Sequence, residues 1–90
     1  MLDVVFSNQF KRDLRLAKRR GYDLDLLDET VDKLTNREPL PQKNQDHALS
    51  GNYAGFRECH VQPDWLLVYR IDEEEAYVFL ARTGTHSDLF

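Results

Sequence analysis

Ninety residues give enough chain for one core and one domain, residues 1–90, but not for a second lobe, so any binding site must use one sheet or its edges. A lone cysteine excludes an internal disulfide, and no apolar start or run of about eighteen apolar residues suggests a leader or a membrane span, so a cytoplasmic location is expected. The net charge of -4 argues weakly against nucleic-acid binding, but residues 7–22 hold six basic side chains and one acidic, and local potential decides such binding.

In chain order, Leu2 to Phe6 predicts a short strand that needs a larger sheet to receive it. Ser7 then caps a helix in which Phe10, Leu14 and Ala17 recur at helical spacing, and Gly21 suits the left-handed position past its end. The opposite face carries Lys11, Arg15 and Lys18 on one stripe. A solvated face and a phosphate-tracking face are both compatible with it. Asp23 caps a second helix, with Leu24, Leu27, Val31 and Leu34 as its apolar stripe and acids at the positive end of its dipole. Two helices joined by so few residues form a hairpin, and its apolar stripes must cover a sheet.

Residues 37–54 hold no periodicity and are punctuated by Pro39, Pro41, Asn44, Gly51 and Asn52. A loop of this length usually serves function or is disordered, and His47 lies in it. From Phe56 the residues alternate up to Val61, Pro63-Asp64 is turn chemistry, and Trp65 to Ile71 is rich in strand formers. This reads as a hairpin with Arg57, Cys59 and Val61 on one face and Phe56, Glu58 and His60 on the other, so Cys59 and His60 do not make a dyad. After an acidic turn at residues 72–75, Ala76 to Arg82 forms a strand. It is apolar on both faces, with Val78, Leu80 and Arg82 on one of them, as a covered central strand requires. The expected fold is α+β: a helical hairpin packed on one face of a small, mainly antiparallel four-stranded sheet, in the order β-α-α-β-β-β.

The three histidines all fall at loops or strand ends. With Asp64 they could ligate zinc, but they form no ligand-spaced cluster, so no metal site is assigned and acid-base chemistry ranks above it. Nucleophilic serine chemistry lacks its strand-turn-helix context.

The runs D-H-A-L-S-G (46–51), G-F-R-E-C-H-V-Q-P-D-W-L-L-V-Y (55–69) and R-T-G-T-H-S-D-L-F (82–90) resemble the YafQ group of the RelE/ParE toxin superfamily. Together with the strand and helical hairpin before them, they imply the RelE-like fold. The resemblance further implies a toxin of a type II toxin-antitoxin system that cleaves messenger RNA in the ribosomal A site. It acts without metal or other cofactor and is silenced by a cognate antitoxin. The matching positions are His47, His60, Asp64, Trp65, Arg82, His86 and Phe90.

RNA carries its own nucleophile, the 2′-hydroxyl, so cleavage by transesterification needs only a base, an acid and a cation. On this reading His60, positioned by Asp64 or assisted by His47, is the base, His86 is the acid, and Arg82 balances charge on the phosphate. The products would be a 2′,3′-cyclic phosphate and a 5′-hydroxyl. Trp65 and Phe90 would stack on bases or pack in the core, with packing the larger part for Phe90. Two other readings remain: a ParE-like module that binds DNA gyrase without chemistry, and a relative that has lost catalysis and only binds an antitoxin.

Overall fold

Ser7 joins the first strand to the first helix in the computed structural model, which describes residues 1–90. Strand β1 (Asp3–Phe6) precedes it and helix α1 (Asn8–Arg19) comes after it. The Ser7 hydroxyl accepts the Phe10 N–H at 2.8 Å and donates to the Ala81 carbonyl at 2.7 Å, so one side chain caps the helix and ties it to a distant strand. Gly21, at φ +79°, turns the chain out of α1 where a side chain would be strained. Asp23 accepts the Asp25 N–H at 3.0 Å and starts α2 (Leu24–Thr35).

The sheet has five strands, ordered β1-β5-β4-β3-β2, where β2 is His47–Ala48, β3 Arg57–Gln62, β4 Trp65–Asp72 and β5 Tyr77–Gly84. Only β1 runs parallel to its neighbour. A fifth strand and a single-turn third helix after β5 are the departures from the expected order. Two residues are too few to leave a periodic signal, yet His47 pairs with Glu58 and Ala48 with Arg57, which lays the long loop along the sheet.

Helices α1 and α2 cover one face, burying Phe10, Leu27 and Leu34 against Cys59, Leu67, Tyr69, Val78 and Leu80. On the other face Leu66, Val68 and Ala81 are buried beneath Leu89, Leu49 and Tyr53. Covering on both sides explains why β4 and β5 read as apolar throughout.

A bulge corrects one expectation. Tyr69 pairs with Leu80 but Val68 pairs with Arg82, so Ala81 is the extra residue and Arg82 falls in register with Val68, not on the face of Val78 and Leu80. Strand β1 ends opposite Leu80, and beyond it the free edge of β5 is closed by α1. Ser7 takes the Ala81 carbonyl there, and Asp13 accepts the Thr83 N–H at 3.1 Å.

Candidate active site

Alternation along β3 separates its functional groups. Cys59 is fully buried on the helix side, where burial pushes its thiol up to about 12 and makes it inert. Glu58 and His60 occupy the opposite face. The pairing of β2 sets His47 beside Glu58, with Nε2 3.4 Å from a carboxylate oxygen whose side chain is only 6% exposed. Asp46 pins this loop: it accepts the Tyr69 hydroxyl at 2.5 Å and the Arg57 guanidinium at 3.1 and 3.3 Å.

His86 arrives from the other side. It opens α3 (His86–Leu89), a single turn whose start is fixed by a reciprocal pair of bonds between Thr85 and Asp88. Arg20, which caps the end of α1, grips the same Asp88 at 2.6 and 3.1 Å and, with the Thr85 N–H, holds its carboxyl well below the usual range. Gly84 makes room for this arrangement, since a Cβ there would meet the Asp88 carboxylate at 2.9 Å.

The two sides converge. The rings of His60 and His86 lie 5.7 Å apart, and a nitrogen of each and a Glu58 oxygen lie within 4.8 Å of one another. Each ring is oriented through Nδ1: that of His60 donates to the Pro63 carbonyl at 3.1 Å, and that of His86 to Asp64 at 2.8 Å. With those carbonyl and carboxylate acceptors the Nδ1 atoms carry hydrogen, which leaves both Nε2 atoms for chemistry. His47 is fixed likewise, Nδ1 to the Gln45 carbonyl at 2.7 Å.

Several expectations change. Asp64 orients His86 rather than His60, because the turn points its carboxylate at the start of α3, and Pro63 takes over at His60. Trp65 is 2% exposed, packed on Tyr22 and donating to Thr83 Oγ1 at 2.8 Å; no base can stack on it, and its part is support. Arg82 is paired with Asp13, Nε to Oδ2 at 2.9 Å, and its side chain is 24% exposed, so its charge is already partly balanced. Phe90 is 62% exposed and touches Tyr53 edge to face, so its ring is packed less than expected. Lys11, Arg15 and Lys18 remain an exposed stripe on α1, in none of the ion pairs. Glu58 is the member of the site that the sequence reading misses. Its signal is a carboxylate two residues before His60 on a strand, which puts both on one face.

Two imidazoles and one carboxylate this close have the chemistry for proton transfer, and the same three groups are suitable ligands for a divalent transition metal.

The chain matches the model of the bacterial toxin of type II toxin-antitoxin systems, YafQ, over residues 2–90. It is 38% identical over 89 residues to the mRNA interferase toxin YafQ of Escherichia coli K12, covering 98% of this chain and 95% of that one. Its fold superposes on the metal-bound toxin from Helicobacter pylori with a TM-score of 0.94, at 46% identity and full coverage of both chains. The toxin in the E. coli DinJ-YafQ toxin-antitoxin complex gives 0.88 at 38% identity, covering 99% and 97%. With a family match along nearly its whole length and the matching histidines gathered at one end of the sheet, this chain belongs to the YafQ family of type II toxin-antitoxin toxins.

Proposed function

We propose that this toxin is a ribosome-dependent endoribonuclease that cuts messenger RNA in the A site by attack of the 2′-hydroxyl on its neighbouring phosphate. The observation that supports this most is the His60–His86 pair, two imidazoles tied at Nδ1 and free at Nε2, 5.7 Å apart. His60 Nε2 takes the proton of the 2′-hydroxyl. His86, in its protonated form, gives a proton to the departing 5′-oxygen. Asp64 fixes the orientation of that ring by accepting from its Nδ1. Arg82, held by Asp13, supplies a cation for the phosphate, and the basic stripe of α1 contacts phosphates of ribosomal RNA. His47 and the covered Glu58 hold the β3 side of the site by their mutual contact. A binder of DNA gyrase has no use for three oriented histidines, so cleavage is the better reading.

The mRNA interferase activity named for the E. coli relative and the antitoxin bound to YafQ in its complex support the same assignment here, with a cognate antitoxin as partner. Replacing the 2′-hydroxyl at the scissile nucleotide with hydrogen tests it on ribosome-bound messenger. Cleavage should stop; if that substrate is cut, transesterification is wrong.

A second reading concerns metal. Glu58, His60 and His86 fit a divalent transition ion, and the H. pylori relative is a metal-bound toxin. Such an ion supplies Lewis-acid chemistry when bound. Binding it would also occupy the ring nitrogens that acid-base catalysis needs, so the protonic reading treats it as an inhibitor.

A further inference from the structure

Beside His60 lies a cleft of about 410 Å³ whose lining does not include His86. The turn at Gln42–Asn44, the end of β3 and Leu26 of α2 enclose it. Leu26 and Val61 supply apolar walls, while Lys43, Gln45 and Gln62 bring polar groups to it, and His60 belongs to the lining. The floor is fixed, because buried Asn44 donates from Nδ2 to the His60 carbonyl at 2.6 Å. In contrast, Lys43, Gln45 and Gln62 are exposed, and their side chains enter none of the hydrogen bonds or ion pairs of the fold. Gln45 sits at φ +48°, and its carbonyl is the one that orients His47. The cleft is thus built into the same loop as the site.

We propose that this cleft receives one unstacked nucleobase, that of the nucleotide whose 2′-hydroxyl attacks, and that Gln62 and Gln45 read its edge. The inference rests on the RNA-cleaving reading above and names where that reaction gains its sequence preference. Its volume falls within the range of roughly 300–1,000 Å³ typical of small-ligand sites. Single-stranded RNA is recognised by splaying out a base, packing its faces and bonding its polar edge, and the two apolar walls with amides between them supply those contacts. An amide offers a donor and an acceptor side by side, the pattern that pairs with a base edge. Position decides which nucleotide is held: His60 lines the cleft and His86 does not, so the base belongs to the nucleotide on the side of the general base, 5′ to the cut. Lys43 then lies where the preceding phosphate passes.

The test maps cleavage ends on ribosome-bound messengers that carry each of the four bases 5′ to the cut. The parent should discriminate among them by about five- to hundred-fold, the range that one well-made amide contact provides. Gln62→Ala combined with Gln45→Asn, which tolerates the left-handed backbone, should flatten that preference to a few-fold while leaving preference on the 3′ side intact. Gln62→Glu, an acceptor only, should move preference toward bases that present an amino group. Equal thermal midpoints confirm that the variants fold. A parent that cuts no RNA overturns both this inference and the reading beneath it. A parent that cuts with a preference all variants retain, or with none at that position, overturns the cleft alone.

Discussion

Oδ1 of Asp64 accepts two hydrogen bonds from His86, one from ring Nδ1 at 2.8 Å and one from the main-chain N–H at 3.1 Å. A single carboxylate oxygen thereby fixes both the ring and the start of the helix that carries it. These bonds, the side-chain one first, hold the Asp64 carboxyl below its ordinary range. A depressed carboxyl contributes stability above its unfolded value of about 3.9 and loses it as pH falls through the lower folded value. A carbon-detected NMR titration should therefore place Asp64 lower in the parent than in His86→Gln. Coincident curves would show that the contact has no energetic weight.

Opposite roles for two histidines predict a rate maximum with pH in single turnover. His60→Ala should lose the acidic limb, where the base becomes protonated, and His86→Ala the alkaline limb, where the acid loses its proton. Each loss should be about 10² to 10⁴-fold at the optimum. Variants within a few-fold of the parent at every pH would remove these residues from the mechanism.

Asp13 holds the end of β5 through Arg82 at 2.9 and 3.2 Å and through the Thr83 N–H at 3.1 Å. Asp13→Ala leaves that N–H and a partly covered guanidinium without their acceptor. A destabilisation of about 2 to 3 kcal/mol is expected. Urea unfolding measures it, and a midpoint within error of the parent contradicts the clamp.

Phe90 has one aromatic neighbour, Tyr53, at 5.5 Å, and most of its ring is open. Phe90→Ala should cost stability by no more than about 1 kcal/mol, the order of one aromatic pair. If the ring stacks on a base in the transition state, the rate falls by about five- to hundred-fold. Loss of stability without loss of rate would make it a packing residue only.

Zinc or copper should slow cleavage in competition with RNA, because Glu58, His60 and His86 are shared between ion and substrate. A chelator selective for transition metals, which spares the magnesium that ribosomes require, should leave the rate unchanged or raise it. A rate abolished by that chelator and restored by one metal would favour metal-assisted cleavage.

Local sequence determined the helices and the central hairpin, because Ser7 caps α1, Asp23 caps α2, and the alternation from Phe56 to Val61 sends Cys59 inward and Glu58 and His60 outward. The motifs at 46–51, 55–69 and 82–90 likewise pointed to the family that the match over residues 2–90 shows. Tertiary structure alone decided the partners. Asp64 is four residues from His60 and twenty-two from His86, yet the turn and the capped α3 aim it at the distant ring. Nor does a two-residue strand announce itself, so the meeting of His47 with Glu58 depends on a pairing that only the folded sheet creates. Simple alternation misplaces Arg82 for a related reason: it counts residues one by one, and the extra residue at Ala81 resets the count. Side-chain periodicity is local and readable from the chain, whereas a bulge, a short edge strand and the aim of a turn are settled by what lies across the sheet.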